Sequence, residues 1–351
     1  MRPASIRRLV LLLARVLMVG SLTGAMVSSA ESSGPAQPPV VVGPRSTGLV
    51  IPSWEARGYQ SRDVARILDR MKSLGLRRVT FIVTWYQKSV SDSSFGPTDA
   101  TPTDASLRSA ISQARSRGLA VALKPHIDLP DDTWRGDIVP ADRTAWFAAY
   151  RSFIARYAEL ARTAGASTFI LGTELAGVST DPRWPAVIAA VRAKFFGTLT
   201  YAANWDEFPE ITFWDLLDEI GIDAYYPLTT RTDGTASVAQ LTDAWKAPKQ
   251  SLRALAARWA KPVRFTEVGY TRHRGTTAAP WDFALATSEA SEEQAKAYKA
   301  VFDALKGERW FAGPDFWAAD PPAEERDLLG YSPLGHPAET RLAAGAALLL
   351  G

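Results

Sequence analysis

Two glutamates each follow directly on a short apolar run, and a pair of carboxylates in such positions can perform acid–base and nucleophilic chemistry. Glu174 follows the run at residues 169–173, and Glu267 follows the run at residues 263–266. Hydrolysis of a glycoside with retained configuration requires one carboxylic acid that protonates the departing oxygen. It also requires a carboxylate about 5–5.5 Å away that attacks the anomeric carbon. Each glutamate alone could equally be a structural ion-pair partner, but their matching placement favours the catalytic pair.

Aromatic and polar side chains stand at the ends of most of the other apolar runs. The run ends carry Trp54-Glu55, Trp85-Tyr86, Lys124 to Asp128, Asn204-Trp205-Asp206, Asp223 to Tyr226, and Trp317. Rings that stack on the apolar C–H faces of sugars, beside polar groups for the hydroxyls, are typical of a carbohydrate groove. Large aromatics in loops also serve as core or lid packing, and among the loop tryptophans Trp205 and Trp281 are favoured as sugar contacts.

Some charged residues near these ends have other interpretations. Glu55 and Glu207 rank below the pair because each lies beyond a turn residue or an aromatic. We expect Lys124 to orient a carboxylate and Asp223 to be a structural hydrogen-bond acceptor. No His/Asp/Glu spacing resembles a metal site, so we expect neither a metal nor a cofactor.

The elements that position these residues alternate regularly. Eight short apolar runs, from residues 48–52 to residues 311–317, alternate with amphipathic helical patterns, and no long linker divides them. This alternation predicts an α/β fold, a single (β/α)8 TIM barrel, in which side chains at the carboxyl ends of the strands form the active site. A doubly wound open sheet is the alternative, but no glycine-rich phosphate loop follows any strand.

The start of the chain predicts export. Arg7 and Arg8 precede an apolar run that ends before the small residues 28–30, which is typical of a cleaved signal peptide over residues 1–30. A membrane anchor is the alternative, but Arg15 and two glycines interrupt the run. Residues 31–47 form a Ser/Gly/Pro-rich linker, and residues 48–351 form the barrel. We therefore expect a secreted protein without stable membrane insertion.

The charge balance excludes some partners. The chain has 40 Lys and Arg against 37 Asp and Glu, and four of those arginines lie in residues 1–30, so the mature protein is nearly neutral. Nothing indicates a basic nucleic-acid surface. The absence of cysteine excludes disulfides and thiolate metal sites. We expect a monomer that binds an oligosaccharide or polysaccharide.

Six segments resemble glycoside hydrolase family 113, a family of endo-β-1,4-mannanases within the clan A retaining glycosidases. They are residues 83–87 (VTWYQ), 123–126 (LKPH), 171–175 (LGTEL), 221–227 (GIDAYYP), 266–270 (TEVGY) and 331–339 (YSPLGHPAE). The resemblance extends over nearly all of residues 48–349. It implies that Glu174, after the fourth strand, is the acid/base and that Glu267, after the seventh, is the nucleophile.

The resemblance also implies a substrate site. Trp317 matches the tryptophan below the sugar in the −1 subsite, and Trp85, His126, Asn204 and Tyr225 would line the same region. From their strand-end positions we add Trp205 and Tyr226, which completes the predicted substrate-binding set. Many clan members place Asn before the acid/base to hold the sugar 2-hydroxyl, whereas Thr173 stands here. The alternatives are a clan A hydrolase of xylan or glucan, and a barrel that binds polysaccharide without catalysis.

Overall fold

The structure, a computed structural model, describes residues 45–285, 287–319 and 330–350. Eight parallel strands follow one another in chain order around a barrel. The first strand pairs with both the second and the last, which closes the sheet. Closure confirms the predicted (β/α)8 barrel and excludes the doubly wound open sheet, whose edge strands remain unpaired.

The strands are β1 (Gly48–Ile51), β2 (Arg78–Gln87), β3 (Ala120–Asp128), β4 (Thr168–Thr173), β5 (Thr198–Asn204), β6 (Ile220–Asp223), β7 (Val263–Val268) and β8 (Phe311–Phe316). The α-helices are α1 (Arg62–Ser73), α2 (Asp104–Ser116), α3 (Arg143–Ala164), α4 (Trp184–Arg192), α5 (Val238–Ala244), α6 (Lys246–Trp259), α7 (Ser291–Leu305) and α8 (Pro337–Leu350). Short 3-10 turns cover Gly58–Gln60, Arg135–Asp137, Phe208–Glu210 and Trp214–Leu216, and a two-residue strand, Phe95–Gly96, pairs antiparallel with β2.

Local sequence signals determine where the helices begin and end. The side chains of Ser61, Thr103 and Asp142 each accept a hydrogen bond from a backbone N–H in the first turn of α1, α2 and α3. Such caps satisfy donors that lack partners within the helix. Gly165 ends α3 with a φ of 87°, a conformation that costs glycine little.

One helical segment is divided in two. Within residues 238–260, α5 and α6 meet at the buried Trp245. Pro248 lies in the first turn of α6. Proline has no N–H to donate and is tolerated only in that first turn, so a new helix starts just before it. Between β5 and β6, residues 213–217 contain only a 3-10 turn.

The barrel interior is layered. Arg78 and Arg264, near the starts of β2 and β7, form a charged floor with Asp315, which lies opposite Gly48 in β1. A layer of small and apolar side chains covers this floor: Val50, Ile82, Ala122, Ile170, Ala202 and Ala318. A second polar group lies at the carboxyl ends of the strands. The main hydrophobic core lies between the strands and the helices.

Among the described residues there is neither a membrane-spanning helix nor a metal-binding cluster. No helix there has the length and apolarity that a membrane crossing requires. In the same part of the chain, no group of three or more histidine or acidic side chains has an arrangement that could hold a metal ion.

Candidate active site

Irregular pairing of β7 turns Glu267 toward the barrel interior. The register between β6 and β7 shifts between Ile222 and Asp223, so that Asp223 lies opposite Glu267. The pairing of β7 with β8 also shifts, between Phe265 and Val268. A bulge of this kind changes the direction of a side chain at the end of a strand. As a result, the neighbours Thr266 and Glu267 both contact residues inside the barrel.

Donors occupy both carboxylate oxygens of Glu267. The Lys124 ammonium donates to Oε1 at 2.5 Å, and the Tyr225 hydroxyl donates to Oε2 at 2.7 Å. Lys124 also donates to both oxygens of Asp223, at 2.9 and 3.0 Å, and Thr266 donates to Asp223 at 2.7 Å. These contacts fix the orientation of Glu267, which is 5% exposed. The predicted roles of Lys124 and Asp223 agree with these contacts.

The charges of this group depend on one another. Burial opposes the charge of Lys124, but Asp223 and Glu267 outweigh burial and raise the pKa of the ammonium. Burial and the negative charge of Glu267 raise the pKa of Asp223, and Lys124 opposes that shift. A single ammonium thus holds two carboxylates in a region that water barely reaches.

A second irregularity places Glu174. The pairing of β4 with β5 shifts between Ile170 and Thr173, and Glu174 follows with a φ of 49°. Its backbone N–H donates to the Ala202 carbonyl at 2.8 Å, which keeps Glu174 attached to the end of β5. Left-handed backbone at a residue with a side chain is uncommon, and such strain concentrates at functional sites.

The carboxyl group of Glu174 has few donors. The indole of Trp134 donates to Oε2 at 3.2 Å, and the nearest guanidinium nitrogen of Arg135 lies 3.9 Å from the same oxygen. Burial raises the pKa of Glu174 to about 7, the positive charge of Arg135 lowers it, and the negative charge of Glu267 raises it further. The two predicted carboxyl groups therefore lie close enough to interact electrostatically but differ in environment.

His126 faces the same interior as Lys124, two residues earlier on β3. It is 2% exposed, and its Nε2 has no hydrogen-bond partner among the described residues. Burial, with the charges of Arg135 and Lys124, lowers the pKa of His126 well below its usual range. The ring is thus a neutral side chain close to both cations.

Asn204 and Trp317, two further predicted substrate contacts, lie at the same end of the barrel as Glu174 and Glu267. Asn204 ends β5 opposite Asp223, and its amide donates to Asp206 at 2.6 Å. The backbone N–H of Trp317 donates to Val268, next to Glu267, and the half-buried indole packs on the apolar layer. Their roles in substrate binding remain predictions.

Three aromatic residues form what we call the β5–β7 aromatic cluster: Trp205, Tyr226 and Trp281. The rings of Trp205 and Trp281 stack with centroids 6.1 Å apart, and those of Trp205 and Tyr226 lie 5.5 Å apart. Trp205 and Trp281 are half-buried, whereas Tyr226 is buried. Trp205 and Tyr226 belong to the predicted substrate-binding set, and Trp281 was favoured from its loop position.

The prediction for Trp85 is wrong. Its indole donates to Tyr157 of α3 at 3.0 Å and packs on Phe153 of the same helix. Side chains alternate along a strand, and Trp85 belongs to the face of β2 that packs on the helices. Its neighbour Tyr86, opposite Asp128 of β3, has the inward position instead.

The rival glutamates have other surroundings. Glu207 is buried and accepts from the Tyr201 hydroxyl at 2.7 Å and from the Asn204 backbone at 2.9 Å. Burial raises its pKa to about 7, as for Glu174. Its donors, however, tie the start of one loop to β5, and Glu55 is exposed on another loop. Neither contacts Lys124 or the groups that it holds.

Sequence reasoning missed Trp134, Arg135 and Asp128 as a group. Arg135 pairs with Asp128 through two nitrogens, at 2.6 and 2.8 Å, and a third guanidinium contact of 3.9 Å joins Arg135 to Glu174. Asp128 ends β3 and was noted as a strand-end residue. The other two lie in a loop without periodicity, where only the proximity of a basic residue and an aromatic to that strand end could have indicated them.

Comparisons with known proteins agree with the fold. The model of Glycoside Hydrolase Family 113 matches residues 53–327. A GH113 β-mannanase from Alicyclobacillus acidocaldarius, solved in complex with ManMIm, is 26% identical with a TM-score of 0.79, over 87% of this chain and 98% of that one. A second GH113 β-1,4-mannanase is 23% identical, with a TM-score of 0.78 over 87% of this chain and 99% of that chain.

More distant matches share the fold alone. A GH5_18 protein from Bifidobacterium longum is 15% identical with a TM-score of 0.57, over 87% of this chain and 79% of that chain. No curated protein matches the sequence. Since the family model matches most of the chain, this protein belongs to glycoside hydrolase family 113 and is a glycoside hydrolase.

Proposed function

We propose that this protein is a secreted endo-β-1,4-mannanase that retains the anomeric configuration, with Glu267 as nucleophile and Glu174 as acid/base. The observation that carries the proposal is the contrast between the two carboxyl groups. Lys124 and Tyr225 hydrogen-bond both oxygens of Glu267, whereas burial raises the pKa of Glu174 to about 7. Environments that separate two carboxyl groups in this way assign one as the acid and the other as the anion.

In the first step, Glu267 attacks the anomeric carbon and forms a glycosyl ester. The glycosidic C–O bond breaks, and the departing oxygen takes the proton of Glu174. Tyr225 donates to the carboxylate oxygen that Lys124 does not contact, so the two donors together hold the attacking group in one orientation. Orientation of this kind contributes much of the rate enhancement.

In the second step, the ionised Glu174 removes a proton from a water that attacks the ester. The sugar leaves with its original configuration, and Glu267 is restored as a carboxylate. A group that alternates between acid and base works best with a pKa near the working pH. The opposing influences on Glu174, burial and the nearby Arg135, are consistent with this requirement.

The proposed polysaccharide is β-1,4-mannan. Two of the structural neighbours are GH113 proteins that act on β-mannan, and the resemblance in six segments supports the same substrate. Thr173 replaces the asparagine that many clan members use for the sugar 2-hydroxyl, and its Oγ1 is buried without a hydrogen-bond partner among the described residues. The sugar 2-hydroxyl is axial in a mannoside, so a change in the residue that contacts it fits mannan better than xylan or glucan.

Endo action is supported by aromatic residues at opposite sides of the barrel mouth. Trp54 lies three residues after the end of β1 and is 46% exposed, and the β5–β7 aromatic cluster begins directly after β5. In a closed barrel of eight strands, β1 and β5 lie across the diameter from each other. A chain that contacted both sides would pass between Glu174 and Glu267, as internal cleavage requires.

Export is proposed from the pattern of residues 1–30, which has a basic start, an apolar run and small residues at its end. A polysaccharide substrate is consistent with this proposal because such polymers lie outside the cell. Mass spectrometry of the secreted protein would show a new N-terminus near residue 31, and an intact N-terminus would contradict cleavage.

A panel of polysaccharides tests the catalytic proposal. The protein is incubated with β-mannan, xylan and β-glucan, and reducing ends are measured for the wild type and for Glu267→Gln. We expect release from mannan by the wild type alone, and the first product should have the β-configuration by NMR. Release of an α-product would contradict retention, and release from xylan or glucan alone would contradict the choice of mannan.

A further inference from the structure

An ion pair between Asp128 and Arg135 brings a guanidinium close to Glu174. Asp128, at the end of β3, accepts from Arg135 at 2.8 Å through Nε, and a terminal nitrogen of the same guanidinium lies 2.6 Å from the same oxygen. The guanidinium also lies 3.9 Å from Glu174, beyond hydrogen-bond distance. The side chains of Arg135 and Asp128 are 17% and 21% exposed, so water screens them only in part.

We propose that Asp128 is a positioning residue for the acid/base. It holds the Arg135 guanidinium beside Glu174 and prevents it from forming a direct ion pair with that carboxylate. This inference rests on the proposed role of Glu174 and extends it to two residues that would not contact the reacting atoms.

The position of the guanidinium matters because Glu174 must both give and take a proton. A guanidinium free of Asp128 would form a two-pronged ion pair with Glu174, the geometry that arginine and carboxylate prefer. Glu174 would then stay ionised and could not protonate the departing oxygen. Without any guanidinium, burial and the negative charge of Glu267 would keep Glu174 protonated and hinder the second step.

The loop after β3 is anchored at several points, which fixes this geometry. Arg135 begins the 3-10 turn Arg135–Asp137, and the Gly136 carbonyl accepts from the backbone of Gly177, three residues after Glu174, at 2.8 Å. A Cβ on Gly136 would lie 2.3 Å from the Trp134 ring, so this ring packs closely on the loop. The same loop thus supplies the hydrogen bond from Trp134 and the charge of Arg135.

Other groups around Glu174 belong to different elements and remain unchanged by variants of the pair. They are Lys124 of β3, Asp223 of β6, Glu267 of β7 and the neutral His126 of β3. Lys124 is already bound to Asp223 and Glu267. Arg135 is therefore the cation that a change at Asp128 would free to approach Glu174.

The test compares Asp128→Asn with Arg135→Met in the full-length protein. We expect the alkaline limb of the kcat/KM profile to move to lower pH by about one unit in Asp128→Asn, because the freed guanidinium stabilises ionised Glu174. In Arg135→Met it should move to higher pH by about one unit. The double variant should match Arg135→Met, because Asp128 acts through Arg135.

The choice of leaving group gives a second readout. In Asp128→Asn, turnover of aryl glycosides with poor leaving groups should fall about tenfold more than that of aryl glycosides with good ones, because only the former need the acid. Asp69→Asn, which breaks the exposed pair with Arg117, is the matched control and should leave both readouts unchanged. A purely structural role for Asp128 would lower all rates together and leave the limb in place.

Carboxyl-carbon NMR titration of Glu174, assigned with Glu174→Gln, gives the same comparison without turnover. If the pKa of Glu174 shifts in opposite directions in the two single variants, the inference is supported even where no substrate is hydrolysed. If that pKa does not shift, or shifts in the same direction in both variants, the inference is overturned. Absence of hydrolysis by the wild type would instead contradict the proposed function, so the two failures are distinct.

Discussion

Two buried groups of charged side chains lie at opposite ends of the same barrel, and they are built from different residues. The floor, near the amino ends of the strands, consists of Arg78, Arg264, Asp315 and Glu219. The mouth, at the carboxyl ends, consists of Lys124, Arg135, Asp128, Asp223, Glu267 and Glu174. Both are largely closed to water, so burial alone does not distinguish them.

The floor has two arginines and two carboxylates, so its charges balance. Asp315 accepts from Arg78 at 2.8 Å and from Thr80 at 2.9 Å, and Arg264 lies 3.3 Å from Glu219. Arginine remains protonated in proteins, so each carboxylate there keeps a permanent partner. Such a group stabilises one arrangement of the strands and lies away from their carboxyl ends, where the active sites of these barrels form.

The mouth has more carboxyl groups than cations, and it includes a lysine and a glutamate with shifted pKa values. Burial raises the pKa of Glu174 to about 7, while Lys124 serves two carboxylates at once. An excess of acidic groups in a region with little water is costly for stability, and such a cost is typical of functional sites. In this barrel, the charged group that stabilises the fold and the charged group proposed for catalysis therefore lie at opposite ends of the same strands.

The largest expected effect is the loss of activity in Glu267→Ala. Without a nucleophile, kcat should fall by about 10⁴-fold or more. Azide can occupy the space of the missing carboxylate and should restore turnover with a glycosyl azide of inverted configuration as the product. Glu207→Ala, which removes the rival glutamate, should show no rescue. A folded Glu267→Ala protein that azide does not rescue would exclude Glu267 as the nucleophile.

At the floor, Asp315→Ala should affect stability and leave the chemistry intact. The change leaves Arg78 buried without its carboxylate partner, and breaking a buried pair costs about 3–5 kcal/mol. Urea unfolding measures this loss, while kcat per folded molecule should remain near the wild-type value. Glu267→Gln is the counterpart at the mouth, because Lys124 still has Asp223 as a partner. We expect that variant to be inactive with a stability within about 1 kcal/mol of the wild type. Equal stability losses in both would refute the division between floor and mouth.

The pH dependence of the wild type should reflect Glu174. Its pKa of about 7 is above the usual value for glutamate, and the protonated form, present below that pH, supplies the proton to the departing oxygen. The value of kcat/KM on a substrate with a poor leaving group should therefore fall as pH rises through about 7, roughly tenfold per unit. A substrate with a good leaving group should show a weaker fall. A flat profile to pH 9 would show that Glu174 is not the acid.

Much of the fold was predictable because parallel strands buried on both faces have continuous apolar runs. The apolar run before Glu174 ends where β4 ends, whereas β7 continues two residues beyond the run before Glu267, so Glu267 lies within the strand and not after it. The irregular pairing that turns Glu174 and Glu267 inward was not predictable, because a register shift depends on the neighbouring strand. Those shifts bring Glu267 opposite Asp223 and place Glu174 beside β5.

The errors have a similar cause. Trp85 stands at a strand end, but its position on the outer face follows from the alternation along β2, and that requires knowing which face is inside. Trp134 and Arg135 lie in a loop, where no periodicity relates a residue to its neighbours in space. Their contact with Glu174 depends on the path of the loop, which Gly136 and Gly177 hold in place.

The smallest expected effect concerns the exposed aromatics at the two ends. Trp54 follows β1 at the mouth, whereas Phe196 precedes β5 at the floor end and is 77% exposed. Stacking of a sugar on a ring contributes about 1 kcal/mol, so Trp54→Ala should raise KM for a long chain about fivefold and leave kcat nearly unchanged. Phe196→Ala, the matched control, should change neither. For a chain too short to reach Trp54, the effect of Trp54→Ala should vanish. If Trp54→Ala changed KM equally for short and long chains, Trp54 would lie outside the cleft. An effect of Phe196→Ala on KM would contradict the assignment of substrate binding to the mouth alone.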